Sequence, residues 1–335
     1  MPMRIIVDAF GGDYAPEVPV KASLRAAKEL GVDILLVGNE DIILNHIQGE
    51  LPENVKIHNT TEVITNEDKP AIAVREKKDS SMVVGAKLLR EGEGDAYVSA
   101  GNTGALLASA LTGVGRIKGI RRPALATLLP ADNGRVLMMD CGANTGCHPE
   151  DLLNFAVMGS VYMKKVCDID NPRIALLSNG QEEGKGDELV KEAHILLKNS
   201  ELNFIGNCEG RDIMTGISDV IVCDGFAGNI AIKTIEGTAK TITKELKGVL
   251  YKNIVTKLCA LVIKKPLTEF KKKFDYKEYG GAPLLGIKQP VVKSHGSSDE
   301  RAFYASLIQA KKWVAENVTD DISEYVKNNS PKEEK

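Results

Sequence analysis

Five short glycine-rich turns hold most of the side chains in this sequence that could do chemistry. Each turn follows an apolar run of strand length and precedes residues with helical spacing; the turns span 8–13, 100–104, 142–146, 224–229 and 295–298. A helix that begins just after a strand leaves its first backbone N–H groups unpaired and has a partial positive charge at that end. Such turns are therefore typical of anion sites, and phosphate is the first candidate ligand.

Neutral hydrogen-bond donors recur inside these turns. They are Asn102, Thr103, Asn144, Thr145 and Asn229, and their amide and hydroxyl groups can donate to a phosphate oxygen or to an oxyanion. A single glycine turn is explained as well by the need for a tight bend or a left-handed backbone. The recurrence of the pattern in five turns is what favours a binding site.

The elements that must position these turns follow a strand–helix rhythm. Helical spacing is clear over 18–30, and apolar runs predict strands at 5–7, 34–37, 96–99, 124–129, 136–139, 174–177, 204–205, 220–223 and 291–292. This alternation predicts an α/β fold with a mostly parallel sheet flanked by helices. Because ligands bind at the carboxyl ends of strands in open α/β sheets, we expect the five turns to converge on one crevice.

Length and composition set the class of protein. Of 335 residues, 43% are hydrophobic and 27% are charged, so we expect one large α/β domain over 1–330, built as two lobes that share a sheet, with a frayed tail at 331–335. No run approaches the roughly 20 apolar residues of a membrane-spanning helix. Six cysteines lack Cys-x-x-Cys or zinc-like spacing, and the net charge is −3. We expect reduced thiols in the cytoplasm, no metal, no cofactor and no nucleic-acid partner.

Two loops resemble nucleotide-binding motifs but fail in detail. Residues 180–185 are one residue shorter than a phosphate-binding loop, and Gly186 replaces the Ser or Thr that would bind magnesium. Residues 113–119 have dinucleotide-like glycines but follow a helical run. Lys185 is nevertheless a candidate cation for the anion site, because it follows a predicted strand and its glycine turn.

One histidine and two cysteines are further candidates for a role in binding or catalysis. His295 lies at a predicted strand end, where an imidazole could bind an anion or move a proton. Cys141 and Cys223 also lie near strand ends and could hold an acyl group, although a buried, inert thiol is the more common role.

A basic segment interrupts the strand–helix rhythm. Residues 240–277 contain eleven lysines against three acidic residues. We expect an inserted, protruding helical hairpin over 240–278, whose apolar tip contains Leu258, Leu261, Val262 and Ile263. Such a tip can enter a membrane interface, and each nearby lysine adds about 1 kcal/mol of attraction to anionic lipid. A dimerisation or core helix with solvated lysines is the alternative.

Nine ordered motifs resemble those of a known family. They lie at 7–13, 99–105, 122–124, 140–144, 155–159, 204–207, 223–229, 279–286 and 295–298. Together they resemble the bacterial phosphate acyltransferases known as PlsX, from about residue 4 to residue 318. The sequence departs from the family pattern at Phe10, where Met is usual, at 146–148, where Gly-Cys-His stands for Asp-Cys-Lys, and at 178–180, where Ser-Asn-Gly stands for Asn-Ile-Gly.

The resemblance implies an activity, a fold and partners. The family converts an acyl carrier protein thioester and inorganic phosphate into acyl phosphate and free carrier protein, which supplies phospholipid synthesis through phosphatidic acid. Its fold is similar to that of phosphotransacetylases and isopropylmalate dehydrogenases. Its members are homodimers that can associate peripherally with the inner face of the cell membrane, where the glycerol-3-phosphate acyltransferase is a further expected partner. Lipid contact by the hairpin is favoured accordingly.

The turns and the implied activity together define an expected site. Phosphate is expected on the amides of Gly101 to Gly104, supported by Asn102, Thr103 and Lys185. Contact of Asn102 with the thioester oxygen is the open alternative for that side chain. Asn229 and the 225–228 turn are expected to face the thioester oxygen, and His295 to protonate the departing sulfur. The other expected substrate-binding residues in these turns are Asp8, Gly11, Gly12, Asn144, Gly225, Gly228 and Ser297.

Three alternative functions make different demands on the sequence. A phosphotransacetylase that uses a coenzyme A thioester is chemically close but leaves the basic hairpin without an evident role. A decarboxylating dehydrogenase would need a nicotinamide cofactor, and the nucleotide fingerprint is missing. A non-catalytic membrane scaffold would keep the hairpin without needing five anion-suited turns.

Overall fold

The computed structural model describes residues 2–132, 134–273 and 280–329. The expected tail at 331–335 and residues 274–278 of the expected hairpin lie outside these ranges. The strands are β1 Arg4–Asp8, β2 Asp33–Gly38, β3 Val55–Asn59, β4 Ala96–Ser99, β5 Ala124–Ala131, β6 Gly134–Met139, β7 Ile174–Leu177, β8 Phe204–Cys208, β9 Val220–Val222, β10 Ala282–Leu285 and β11 Val291–Lys293.

Helices connect these strands. They are α1 Glu17–Glu29, α2 Glu40–Leu44, α3 Pro70–Glu76, α4 Ser81–Arg90, α5 Thr103–Ser109, α6 Pro149–Cys167, α7 Glu188–Lys198, α8 Gly225–Leu250, α9 Ile254–Val262, α10 Lys264–Lys273, α11 Glu300–Ala315 and α12 Val318–Asn329. A π-helical turn, Ala110–Val114, continues α5, and a short 3-10 helix, Gly210–Asp212, follows β8.

The sheet consists of two parallel blocks that run in opposite directions. Its strand order is β3-β2-β1-β4-β11-β10-β5-β6-β9-β7-β8. The strands from β3 to β11 are mutually parallel, as are those from β6 to β8, whereas β10 and β5 join the blocks through antiparallel pairings. The predicted, mostly parallel α/β fold is confirmed, with an antiparallel centre that the sequence pattern did not reveal.

The sequence pattern did not predict strands β3 and β10, for physical reasons. β3 forms one edge of the sheet, and its Lys56, His58 and Asn59 are exposed, so it lacks a continuous apolar run. β10 has only four residues and contains Pro283, which cannot donate a hydrogen bond to the ladder and usually argues against an inner strand.

The inner strands are buried on both faces. Ile5, Ile6 and Val7 of β1 are each fully buried, because α1 and α11 pack on one side of the sheet and α4 on the other. Burial on both faces explains why the strands read as uninterrupted apolar runs. Trp313 of α11 and Tyr162 of α6 close the larger core with an edge-to-face contact of 6.2 Å between ring centroids.

α8 begins inside the molecule and ends on its surface. Its 26 residues correspond to a length of about 39 Å. Gly225, Gly228 and Ile232 are buried, whereas Ile242 and Val249 are 61% and 63% exposed. The first turns of α8 therefore belong to the protein interior, and its second half protrudes.

α9 and α10 follow α8 within the basic segment. α9 packs against α8 and α10, and the expected tip residues Leu258, Leu261, Val262 and Ile263 are 58%, 66%, 83% and 42% exposed. Among the described residues, no helix combines the length and the apolar character needed to cross a bilayer. These four apolar side chains are thus largely exposed in the single chain, whereas Ala260 of α9 is buried.

Replacing Gly228 by alanine should destabilise the protein. A Cβ at this position would overlap the Asp140 carbonyl oxygen and lie 2.9 Å from Cys223 Sγ, so α8 or the 140–144 turn must shift, at a cost of about 1–3 kcal/mol. Gly237→Ala is the matched control, because it lies in the same helix with nothing within 4 Å of its Cβ, and it should gain up to about 1 kcal/mol. Urea unfolding measures both; equal stabilities would contradict this packing.

Candidate active site

Three of the expected turns meet at the carboxyl ends of β1, β4 and β11. The N–H of Asp13 donates to Gly296 O at 2.8 Å, and the N–H of Ser294 donates to Ser99 O at 2.8 Å. A Cβ on Gly11 would lie 2.6 Å from Gly101 N, so only glycine allows the first two turns to approach this closely. The structure thus brings the turns 9–13, 100–104 and 294–298 together.

Asp8 lies beneath these turns and not at their surface. Its side chain is 1% exposed; Oδ1 accepts from Ser81 Oγ at 2.7 Å and from Phe10 N at 3.1 Å, and Oδ2 accepts from Ser99 Oγ at 2.6 Å. Burial raises the pKa of the carboxyl, and these hydrogen bonds oppose the rise. The expectation that Asp8 binds substrate is corrected: its oxygens are occupied by protein donors.

Gly101 also differs from its expected role. Its N–H donates to Ser99 Oγ at 3.0 Å, so this amide is directed inward. Asn102 caps α5, since its Oδ1 accepts from Ala105 N at 3.0 Å, which leaves its Nδ2 as the donor. The N–H groups of Thr103 and Gly104, in the first turn of α5, have no intrahelical acceptor. The donors that an anion could use therefore come from 102–104.

A cleft of about 310 Å³ adjoins this turn. It combines polar groups of the two glycine turns with apolar side chains, and its lining is Phe10, Gly12, Ala15, Val63, Ile64, Thr65, Asn66, Gly101 and Asn102. Gly12 has a φ of +102°, a left-handed conformation that favours glycine. The cleft can accept a ligand with one charged and one apolar part.

His295 lies at the third turn with a defined tautomer. Its Nδ1 accepts from Ser297 N at 3.2 Å and faces Ser297 Oγ at 3.0 Å, which assigns the proton of a neutral ring to Nε2. The residue is exposed, but the surrounding protein still desolvates it and lowers the pKa of the ring, and the charges of Lys293 and Lys233 lower it further against that of Glu236. The ring is therefore neutral at pH 7, with Nε2–H as its donor.

Lys293 is a residue of this site that the sequence analysis missed. It is the last residue of β11, is 7% exposed, and donates from Nζ to Ala100 O at 3.2 Å and to Ser294 O at 2.5 Å. Burial lowers its pKa to about 8, although the charges of Asp8 and Asp13 oppose this. The available signal was a lysine that ends an apolar strand one residue before Ser294-His295.

The turns after β6 and β9 form a second cluster. Asp140 Oδ2 accepts from Asn144 N at 2.7 Å and from Asn144 Nδ2 at 2.9 Å, and the same Nδ2 donates to Pro123 O at 2.7 Å. The side-chain donors of Asn144 are thus used within the protein, which corrects its expected role in binding substrate. Gly225 packs against the Asn144 carbonyl. Asn229 is exposed and packs over Gly142, 3.4 Å from a Cβ built there.

α8 links the two clusters. Glu236, on its fourth turn, lies close enough to Cys141 and to His295 to perturb the pKa of both. Burial raises the pKa of Cys141 to about 12 and that of Cys223 well above the usual thiol value. Both thiols are protonated at neutral pH, which argues against an acyl-cysteine intermediate.

Lys185 is not brought to the 100–104 turn. It lines a separate cleft of about 440 Å³ that follows β7 and β8, with Asn179, Gly180, Gln181, Glu182, Glu209 and Arg211. Five strands separate β4 from β7, and β7 runs in the opposite direction, so the two strand ends are about 29 Å apart across the sheet. The geometry therefore contradicts the expectation that Lys185 supports phosphate at the 100–104 turn.

The chain matches one protein family over most of its length. The family described as "Fatty acid synthesis protein" matches residues 3–321. A phosphate acyltransferase of Thermoanaerobacterium thermosaccharolyticum is 51% identical over 97% of each chain, and one of Brevibacillus brevis is 48% identical over 98% of each. The crystal structure of a phosphotransacetylase from Streptococcus pyogenes has the same fold, with a TM-score of 0.66 and 21% identity over 94% of each chain. The chain therefore belongs to the phosphate acyltransferase family.

Proposed function

We propose that this chain transfers the acyl group of an acyl carrier protein thioester to inorganic phosphate and so makes acyl phosphate for phospholipid synthesis. The observation that supports this most directly is the meeting of the turns 9–13, 100–104 and 294–298 beside a cleft whose mixed lining includes the apolar side chains of Phe10, Val63 and Ile64. An anion needs the unpaired donors of the turns, and the uncharged part of the substrate needs the apolar wall. Family membership supports acyl transfer to phosphate.

The proposed reaction depends on positioning. A phosphate oxygen attacks the thioester carbonyl, a C–O bond forms, the C–S bond breaks, and the thiolate takes a proton. Phosphate is already anionic at neutral pH and a thiol with a pKa near 8.5 is a good leaving group, so a strong base is not required. Holding the reactants in line and stabilising the oxyanion lower the barrier most.

Phosphate is proposed to bind over 102–104. The N–H groups of Thr103 and Gly104, the Thr103 hydroxyl and Asn102 Nδ2 would donate to it, with Ser297 and Gly12 at the margin of the same site. Gly101 N is not part of this cradle because it donates to Ser99 Oγ. Lys185 is not part of it because it lines the separate cleft after β7 and β8.

The thioester is proposed to lie between the two clusters. Asn229, at the start of α8, is exposed, and its amide would donate to the carbonyl oxygen. His295 Nε2–H would donate to the departing sulfur, consistent with the neutral tautomer that Ser297 holds. Gly225 and Gly228 support these residues by allowing α8 to pack on the 140–144 turn.

Asn102→Asp tests the phosphate position. Aspartate caps a helix as well as asparagine does, so the stability should change by less than about 0.5 kcal/mol, but its charge would repel the anion. We expect the KM for phosphate to rise at least tenfold. Asn102→Ser, which also caps but adds no charge, is the control and should have a smaller effect. An unchanged phosphate KM in Asn102→Asp would place phosphate elsewhere.

A thiol-release assay tests the substrate class. Free thiol from palmitoyl carrier protein should appear only with phosphate present, and faster than from palmitoyl coenzyme A at equal concentration. Ellman-type detection of the thiol measures both rates. Preference for the coenzyme A thioester would instead support a phosphotransacetylase, the alternative function of this fold.

The exposed apolar face of α8 and α9 is proposed to serve assembly and membrane contact. Ile242, Leu246 and Val249 of α8 are 61%, 39% and 63% exposed, and a second copy of the chain would cover them in a homodimer. Leu261 and Val262 would enter the inner face of the cell membrane, close to the glycerol-3-phosphate acyltransferase that consumes acyl phosphate. Lysines flank this tip and favour anionic lipid.

Replacing Leu261 and Val262 by glutamate should abolish flotation with phosphatidylglycerol-containing vesicles. The two charges would have to enter the apolar interface, and they also repel anionic lipid. Ile195→Glu is the matched control, because Ile195 of α7 is 59% exposed and lies outside the basic segment. Thiol release from soluble substrate should be unchanged in all variants. Wild-type flotation by the double variant would refute membrane contact at this tip.

A further inference from the structure

One peptide group, between Ala100 and Gly101, is held at both of its polar atoms by buried side chains. Its oxygen accepts from Lys293 Nζ at 3.2 Å, and its N–H donates to Ser99 Oγ at 3.0 Å. Ser99 Oγ donates in turn to Asp8 Oδ2 at 2.6 Å. The orientation of the peptide that opens the 100–104 turn is thereby fixed from beneath.

The sheet register aligns the side chains that hold this peptide. Val7 of β1 pairs with Val98 of β4, which sets Asp8 beside Ser99, and Lys293 of β11 pairs with Ser99 directly. Three neighbouring parallel strands therefore end in a row of Asp8, Ser99 and Lys293. This row lies directly under the turn that offers donors to an anion.

Lys293 is an unusual residue in this position. Among the described residues it is the only lysine or arginine that is buried. A buried charge is costly unless other charges and hydrogen bonds compensate for it. Two carbonyl oxygens accept from Lys293 Nζ and the charge of Asp8 acts on it through space, so the ammonium is compensated but not neutralised by a direct ion pair.

We propose that Lys293 is a positioning residue for phosphate, which fixes the 100–104 turn through the Ala100 carbonyl and sets a positive charge beneath the bound anion. The inference rests on the proposed function, because it assigns a role within the same site. Lys293 thus provides the positive charge that the sequence pattern had suggested for Lys185. A charge that the protein already holds in place requires no side chain to reorganise when phosphate binds.

If the positive charge of Lys293 helps to bind phosphate, phosphate binding must depend on the protonation of Lys293 and therefore on pH. A purely structural role of the side chain would not produce this pH dependence. Burial lowers the pKa of Lys293 to about 8, so its charge is present below that pH and is lost above it. The groups that face it are Asp8 of β1, Asp13 after β1, Lys233 of α8 and the neighbouring His295. The pKa of His295 is lowered, so that ring stays neutral above pH 7 and cannot produce a transition near pH 8.

The test measures kcat and the KM for phosphate from pH 6.5 to 9.5 for the wild type, Lys293→Met and Ser81→Ala. At pH 7 we expect Lys293→Met to raise the KM at least tenfold, equivalent to about 1.4 kcal/mol, with a smaller change in kcat. The ratio of the two KM values should fall toward one by pH 9.5, where the wild type has also lost the charge.

Ser81→Ala is the control for destabilisation alone. It removes a hydrogen bond to Asp8 but leaves the Ala100–Gly101 peptide held on both sides. Its melting temperature should fall, while its KM should follow the wild-type pH profile. A Lys293→Met enzyme with the wild-type KM and profile would overturn the inference.

A second measurement keeps the inference testable if Lys293→Met does not fold. The rise in melting temperature that phosphate gives the wild type reports binding directly, and it should diminish through pH 8. Inorganic phosphate itself only becomes more negative over this range, so weaker binding must come from the protein. A rise that stays constant or grows would refute the role of Lys293. Absence of phosphate-dependent thiol release, with phosphate binding intact, would refute the proposed function alone.

Discussion

The peptide between Ala100 and Gly101 is the constraint on which the geometry of the site depends. Its two polar atoms are bound by Lys293 and Ser99, and Ser99 is itself bound to Asp8. Because all three side chains are buried, an alternative orientation of the peptide would leave donors or acceptors unsatisfied, at a cost of about 1–3 kcal/mol each. The exposed donors of 102–104 inherit their direction from this arrangement. The buried side chains of Asp8, Ser99 and Lys293 therefore orient surface donors that they do not themselves contact.

The reversal of strand direction at the centre of the sheet decides which turns can cooperate. The strand ends of β1, β4 and β11 lie together, whereas those of β6, β9 and β7 belong to the opposite block. α8 compensates for this separation in part, because it starts at the end of β9 and brings Glu236 near His295. α7, the helix after β7, packs against α6, β7 and β8, and Lys185 and Arg211 line a cleft of their own. A two-block sheet thus produces two clusters of turns connected by α8 and one separate cleft.

The sequence predicted those features of the structure that depend only on residues close together along the chain. Uninterrupted apolar runs identified nine of the eleven strands in the described ranges, since both faces of most strands are buried. Glycine turns at the strand ends identified 100–104 and 295–298. Local pattern holds no information on strand order or on which side chains are buried. For that reason Asp8 and Asn144 were expected to bind substrate although protein donors and acceptors occupy them, and Lys293, which resembles an ordinary surface lysine in sequence, was missed.

The position of β11 between β4 and β10 also has a consequence for biosynthesis. The first strand of the site ends at residue 8 and the last at residue 293, so at 5–20 residues per second a ribosome separates them by roughly 15 to 60 seconds. During that interval β4, whose Tyr97 and Val98 are fully buried in the finished protein, has one unpaired edge, which is a template for wrong pairing. A nascent chain that stops short of Val291 has the first four glycine turns but lacks both β11 and the turn 294–298. The three turns can therefore meet only after nearly the whole chain has been made, and until then β4 keeps one edge open to wrong pairing.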